Sequence, residues 1–95
     1  MSTRIYDKVL WHVETTDKSL VIKYFTSLME FLTNHQLLND EGKEIFEFGV
    51  DVSLSINSKM LTNKGNKLLS FYYDEFLKSV DFNKDADFKF LEKYI

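Results

Sequence analysis

The sequence predicts an all-α domain: a compact bundle of four to five helices, with an extended or irregular segment at 50–56. Three observations predict it. Apolar residues recur at three-four spacing through 20–32 and again through 68–80. Residues that cap helices stand ahead of these runs, at Asp17, Asn39 and Thr62. Only one segment, Val50 to Ile56, alternates cleanly with period two, and a lone strand in a helical chain has nothing to pair with. With 95 residues, the whole of 1–95 reads as a single globular domain.

Along the chain, Ile5, Val9 and Val13 lie four apart with Leu10 beside them. This predicts a short amphipathic helix over 4–14, with a strand as the competing reading because Val9 to Val13 is densely apolar. The next helix should run from about Asp17 to Leu37. Leu20, Tyr24, Leu28 and Phe31/Leu32 form its stripe, and Val21, Phe25 and Met29 widen it enough to pack on more than one side. A third helix starts at Leu38-Asn39-Asp40-Glu41. Asn39 can cap it, the two acids favour its positive end, and Gly49 stops it. Segment 50–56 is an extended crossover, a short helix from Ser53, or an edge strand pairing with something else. The longest helix spans about Asn63 to Ser79 behind the cap Thr62, and a last short helix fits 85–94 through Ala86, Phe90 and Tyr94.

Two helix starts resemble each other at an offset of 23 residues: Leu38-Asn39-Asp40-Glu41-Gly42 and Leu61-Thr62-Asn63-Lys64-Gly65. A glycine in a helix's first turn costs up to ~1 kcal/mol relative to Ala. Its use at both starts points to backbone approaching where no side chain fits.

Composition excludes several functions. With no Cys, disulfide scaffolds, thiol enzymes and Cys-based zinc fingers are ruled out. The two histidines, His12 and His35, have no ligand spacing around them, so neither a metal nor a cofactor is expected. The chain has no Gly-rich phosphate loop, no HExxH and no G-x-S-x-G, and no pair of carboxylates suits glycoside hydrolysis. Glu41-Gly42-Lys43 matches the acid-x-Lys string of some nucleases but lacks a partner acid. No catalytic residues are therefore expected. No apolar run reaches the ~18 residues of a membrane span. The start of the sequence lacks the apolar stretch of a signal peptide, so the expected compartment is the cytoplasm.

Charge is the remaining clue. Net charge is −3, which disfavours a nucleic-acid partner. The acids concentrate in 40–51, where Asp40, Glu41, Glu44, Glu47 and Asp51 stand against Lys43 alone; residues 52–73 carry Lys59, Lys64 and Lys67 and no acid. The fifteen aromatics fall mostly on helical stripes and read as core, in the composition expected of AT-rich coding.

The strings Leu37-Leu38-Asn39-Asp40-Glu41-Gly42-Lys43-Glu44-Ile45, Met60-Leu61-Thr62-Asn63-Lys64-Gly65-Asn66-Lys67 and Tyr72-Tyr73-Asp74-Glu75-Phe76-Leu77 make residues 37–80 similar to small bacterial immunity proteins of polymorphic and contact-dependent toxin systems. The resemblance implies a cytoplasmic, non-enzymatic protein that binds and neutralises one toxin domain. It carries over no binding residues. On charge and size, the contact residues expected are Asp40, Glu41, Glu44 and Glu47, with an aromatic anchor among Trp11, Tyr72 and Tyr73. Two other readings stand beside it. Leu61-Thr62 through Leu68-Leu69 resembles the start of a winged-helix recognition helix, implying a small DNA-binding regulator. A homodimer could instead pair its 50–56 segments across a two-fold axis.

Overall fold

A computed structural model describes residues 3–95; Met1 and Ser2, part of the segment read for a leader, lie outside the described residues. The chain begins with a strand, β1 (Ile5–Lys8), which runs into a 3-10 turn at Val9–Trp11. Helix α1 (Lys18–Asn34) and helix α2 (Asp40–Phe48) follow. A second strand, β2 (Ser55–Asn57), leads through a 3-10 turn at Ser58–Met60 into α3 (Asn63–Lys78), and a short α4 (Lys89–Glu92) ends the chain.

The expectation of an all-α bundle is corrected here: the described residues form a mixed fold, with four α-helices and a two-stranded antiparallel sheet. The segment expected as the first helix is β1, and it supplies the partner that 50–56 was expected to lack. Ile5 faces Asn57, Asp7 faces Ile56 and Lys8 faces Ser55, with a bulge between Ile5 and Asp7. Val9 N–H donates to the Leu54 carbonyl at 3.1 Å, extending the pairing beyond the ladder. The bulge explains the misreading. An extra residue in one strand shifts its facing by one, so adjacent Tyr6 and Asp7 are both buried and no alternation shows. In 50–56 the alternation does mark burial, since Leu54 and Ile56 are core and Val52 packs against it. The final helix is also shorter than the expected 85–94. No side chain caps α4, and it makes one turn around the buried Leu91.

The three long helices start where their caps put them. Asp17 accepts from Ser19 N–H, Asn39 from Gly42 N–H and Thr62 from Gly65 N–H. Helix α1 ends at Asn34, short of Leu37. Gln36 takes a left-handed conformation (φ 58°), while Leu37 N–H reaches the Leu32 carbonyl at 2.8 Å and Gln36 N–H the Thr33 carbonyl at 3.0 Å. This is the six-residue helix stop that glycine usually makes.

The repeat at 38 and 61 is a physical pairing. Leu38 and Leu61 form an antiparallel bridge. Asn39 N–H donates to the Met60 carbonyl at 3.0 Å, and Thr62 N–H to the Leu37 carbonyl at 2.9 Å. The glycines complete the symmetry. A methyl group at Gly42 would press into the Met60 carbonyl oxygen, and one at Gly65 into the Leu37 carbonyl oxygen. The two copies clasp each other about a local pseudo-two-fold axis. This fixes the N-terminal ends of α2 and α3 side by side.

The core lies between α1, α3 and the sheet. Phe25, Leu28, Met29 and Leu32 of α1 meet Leu69, Tyr73 and Phe76 of α3, with Val9, Ile56, Met60 and Leu91 closing the ends. Downstream of α3, Phe82 packs edge-on to Tyr24 (5.1 Å between centroids) and Phe88 stacks on Phe31 (4.8 Å).

Candidate functional site

Helix α2 sorts its residues by chemistry. At 3.6 residues per turn, Asp40, Glu41, Glu44, Glu47 and Phe48 fall within about 120° of its circumference. Gly42, Ile45 and Phe46 point the other way and meet the body of the protein. The Gly42–Met60 approach sets this rotation, because only the glycine edge of the helix can come so close. The four acids are all exposed. Among the described residues the close acid–base contacts are the Lys23–Asp85 ion pair and the Asp7–His12 hydrogen bond, and neither involves α2. Helix α2 carries the four acids against one base, Lys43, so its exposed face stays net negative.

Phe48 ends this face and is 94% exposed. Gly49 follows at φ 103° and turns the chain away from the helix. Phe48 and Asp51 then line the same open cleft of about 260 Å³ with Ile45 and Leu54. Asp51 accepts from Ser53 Oγ at 2.5 Å and Ser53 N–H at 2.8 Å. These hydrogen bonds hold its carboxyl below the usual carboxylate range, and its position places a further acid past the aromatic ring.

The anchors expected from sequence fare differently. Trp11 is exposed beside Leu10 on the turn after β1, an element separate from α2. Tyr72 is half-buried on α3 and stacks on Tyr94, with centroids 3.7 Å apart. Tyr73 is fully enclosed, so it cannot touch a partner while the core is closed. The aromatic residue that stands among the acids is Phe48, the last residue of α2 before Gly49. Its signal was present: it lies four residues after Glu44 and seven after Glu41, on the polar stripe.

Tyr73 instead belongs to a buried polar chain. Its hydroxyl donates to Asp7 Oδ2 at 2.6 Å, and Tyr24 Oη lies 2.9 Å from Tyr73 Oη. Asp7 Oδ1 accepts from Lys8 N–H at 2.8 Å and contacts His12 Nε2 at 2.6 Å. Asp7 is the one buried acid among the described residues, and both its oxygens are partnered. Burial pushes the Tyr24 and Tyr73 hydroxyls well above their ordinary value of 10.0, with the nearby Asp7 acting in the same direction. The chain pins β1 to α1 and α3. It presents no nucleophile to a cavity.

Among the described residues, no group of three or more His, Asp or Glu is placed to hold a metal ion. None of their helices is long and apolar enough to cross a membrane. No protein-family model, curated protein or solved structure matches the chain.

Proposed function

We propose that this protein is a non-enzymatic binding module, an immunity-type inhibitor that neutralises a cognate toxin domain through the outward face of α2. The observation that carries the reading is the grouping on that face of Asp40, Glu41, Glu44 and Glu47 with the exposed Phe48. Desolvated aromatic side chains ringed by polar groups dominate binding energy at interfaces, and unpaired like charges steer a partner of opposite sign. The partner is thus a basic protein surface with a recess for one aromatic ring. The resemblance of residues 37–80 to immunity proteins narrows that partner to a toxin domain. Trp11 is a candidate second contact; Tyr72 contributes at its exposed edge only, and Tyr73 makes no contact.

The test begins with the adjacent gene. Its toxin domain, expressed with this chain, should form a stable complex. Glu41→Lys/Glu44→Lys should slow association about tenfold or more at low salt, with the difference shrinking as salt rises. Phe48→Ala should weaken the complex about tenfold or more, mainly through faster dissociation. A neighbourhood without a secreted toxin, or a complex indifferent to all three changes, would reject the reading.

A further inference from the structure

The molecule carries a second unpartnered surface of opposite character. Lys64, Lys67, Leu68, Phe71, Tyr72 and Tyr94 line an open cleft of about 270 Å³ between α3 and the end of the chain. The Tyr72–Tyr94 stack, 10° from parallel, forms one wall. Phe71, 70% exposed, forms another part of the rim. Lys64 and Lys67 are exposed and enter no ion pair among the described residues. Lys93, outside the cleft's lining, holds its Nζ 5.0 Å from the Phe90 ring centre and 5.6 Å from that of Tyr94.

The chemistry of this cleft defines its occupant. Its volume is below the ~300–1,000 Å³ of sites for drug-sized molecules, which suits one inserted side chain. The aromatic walls favour an aromatic or large apolar knob, and the lysines favour anions beside it. A nucleic-acid strand fits less well. Such strands need a basic track that follows the backbone, and the outward face of α3 passes from Lys64, Lys67 and Phe71 to the exposed acids Asp74 and Glu75. The face that matches is the aromatic knob with flanking acids on α2, and it shares no residue with the cleft.

We infer that the cleft receives Phe48 of a second copy of this chain, with Lys64 and Lys67 against that copy's α2 acids. The contact is head-to-tail. Each copy offers one knob and one cleft, so association closes as a reciprocal two-fold dimer where both contacts fit at once and otherwise continues into a ring or an open chain. One inserted ring and a few ion pairs make a small interface, so the assembly is weak and salt-sensitive. The inference goes beyond toxin inhibition but uses the same α2 face, so a toxin would compete with the neighbouring copy.

Sedimentation velocity of the purified chain alone tests this, independently of any toxin. At low salt the average mass should rise with concentration, and added salt should reverse the rise. Phe48→Ala and Lys64→Glu/Lys67→Glu should each remain monomeric. Both change exposed residues, and far-UV circular dichroism checks that each is folded; Lys67→Glu alone replaces the double variant if that fails. Mixing the two variants should restore a one-to-one dimer that grows no further, because one copy supplies the cleft and the other the knob. A wild-type chain that stays monomeric, self-association surviving either variant, or a mixture that stays monomeric would overturn the inference. So would tight binding of a single-stranded oligonucleotide that is lost in the lysine variants, which would assign the cleft to nucleic acid.

Discussion

Two residues show how individual side chains set local stability. Gln36 holds a left-handed conformation that costs an L-residue roughly 1–2 kcal/mol, because the helix stop after Asn34 requires it. Gln36→Gly should therefore raise stability by about 0.5–1 kcal/mol, read as a higher urea midpoint with unchanged slope. Tyr73 is the converse case. Tyr73→Phe keeps the ring but leaves Asp7 Oδ2 and the Tyr24 hydroxyl short of a partner inside the core, and should cost about 1–3 kcal/mol. Tyr24 and Tyr73 also set an alkaline limit. Both hydroxyls titrate higher in the folded chain than in the unfolded one. The stability linked to them is complete below about pH 10 and is lost above it, as the unfolded chain releases protons first. Urea midpoints measured upward from pH 9 should decline past pH 10, with tyrosinate absorbance of these two residues appearing only on unfolding.

Among the elements, the paired helix starts make the sharpest prediction. Gly42→Ala and Gly65→Ala each force a methyl group against a backbone carbonyl that is itself held in the clasp. Each should cost about 1–3 kcal/mol in denaturant unfolding, although Ala is the better helix former. The same elements show what was legible in the sequence. Asp17, Asn39 and Thr62 announce α1, α2 and α3 because capping is local chemistry, readable within four residues. The glycines announced a close backbone approach, but that the two helix starts approach each other appears only in the fold. Strand β1 was not legible. Its pairing partner lies some fifty residues away, its bulge breaks the alternation, and it buries an acid whose partners, His12 and Tyr73, are themselves brought in by the fold. The site was half legible. Charge placed the acids on α2, but the choice of anchor depends on which aromatic faces outward, and Phe48 and Tyr73 differ there only through packing.

At the level of the whole molecule, the C-terminal segment is an integral part of the core. Leu91 is fully buried, and Phe82 and Phe88 bridge to α1 through Tyr24 and Phe31. Leu91→Ala should cost about 2–5 kcal/mol, seen as a cooperative loss affecting the entire unfolding transition. Lys23→Ala, which removes the exposed ion pair to Asp85, should change stability by less than about 0.5 kcal/mol in the same assay. The β1–β2 pairing has a consequence for how the protein is made. Arg4 and Ser58, joined at the sheet's end, are 54 residues apart, and Asp7 and Tyr73 are 66 apart. During synthesis β1 leaves the ribosome before β2 and has no partner until about fifty further residues have followed. Its edge and its acid stay in water through that interval, and closure of so long a loop is slow compared with helix formation. The buried carboxyl that pins the finished fold is thus, on the nascent chain, one of the charges, with Arg4 and Lys8, that keep the waiting strand hydrated.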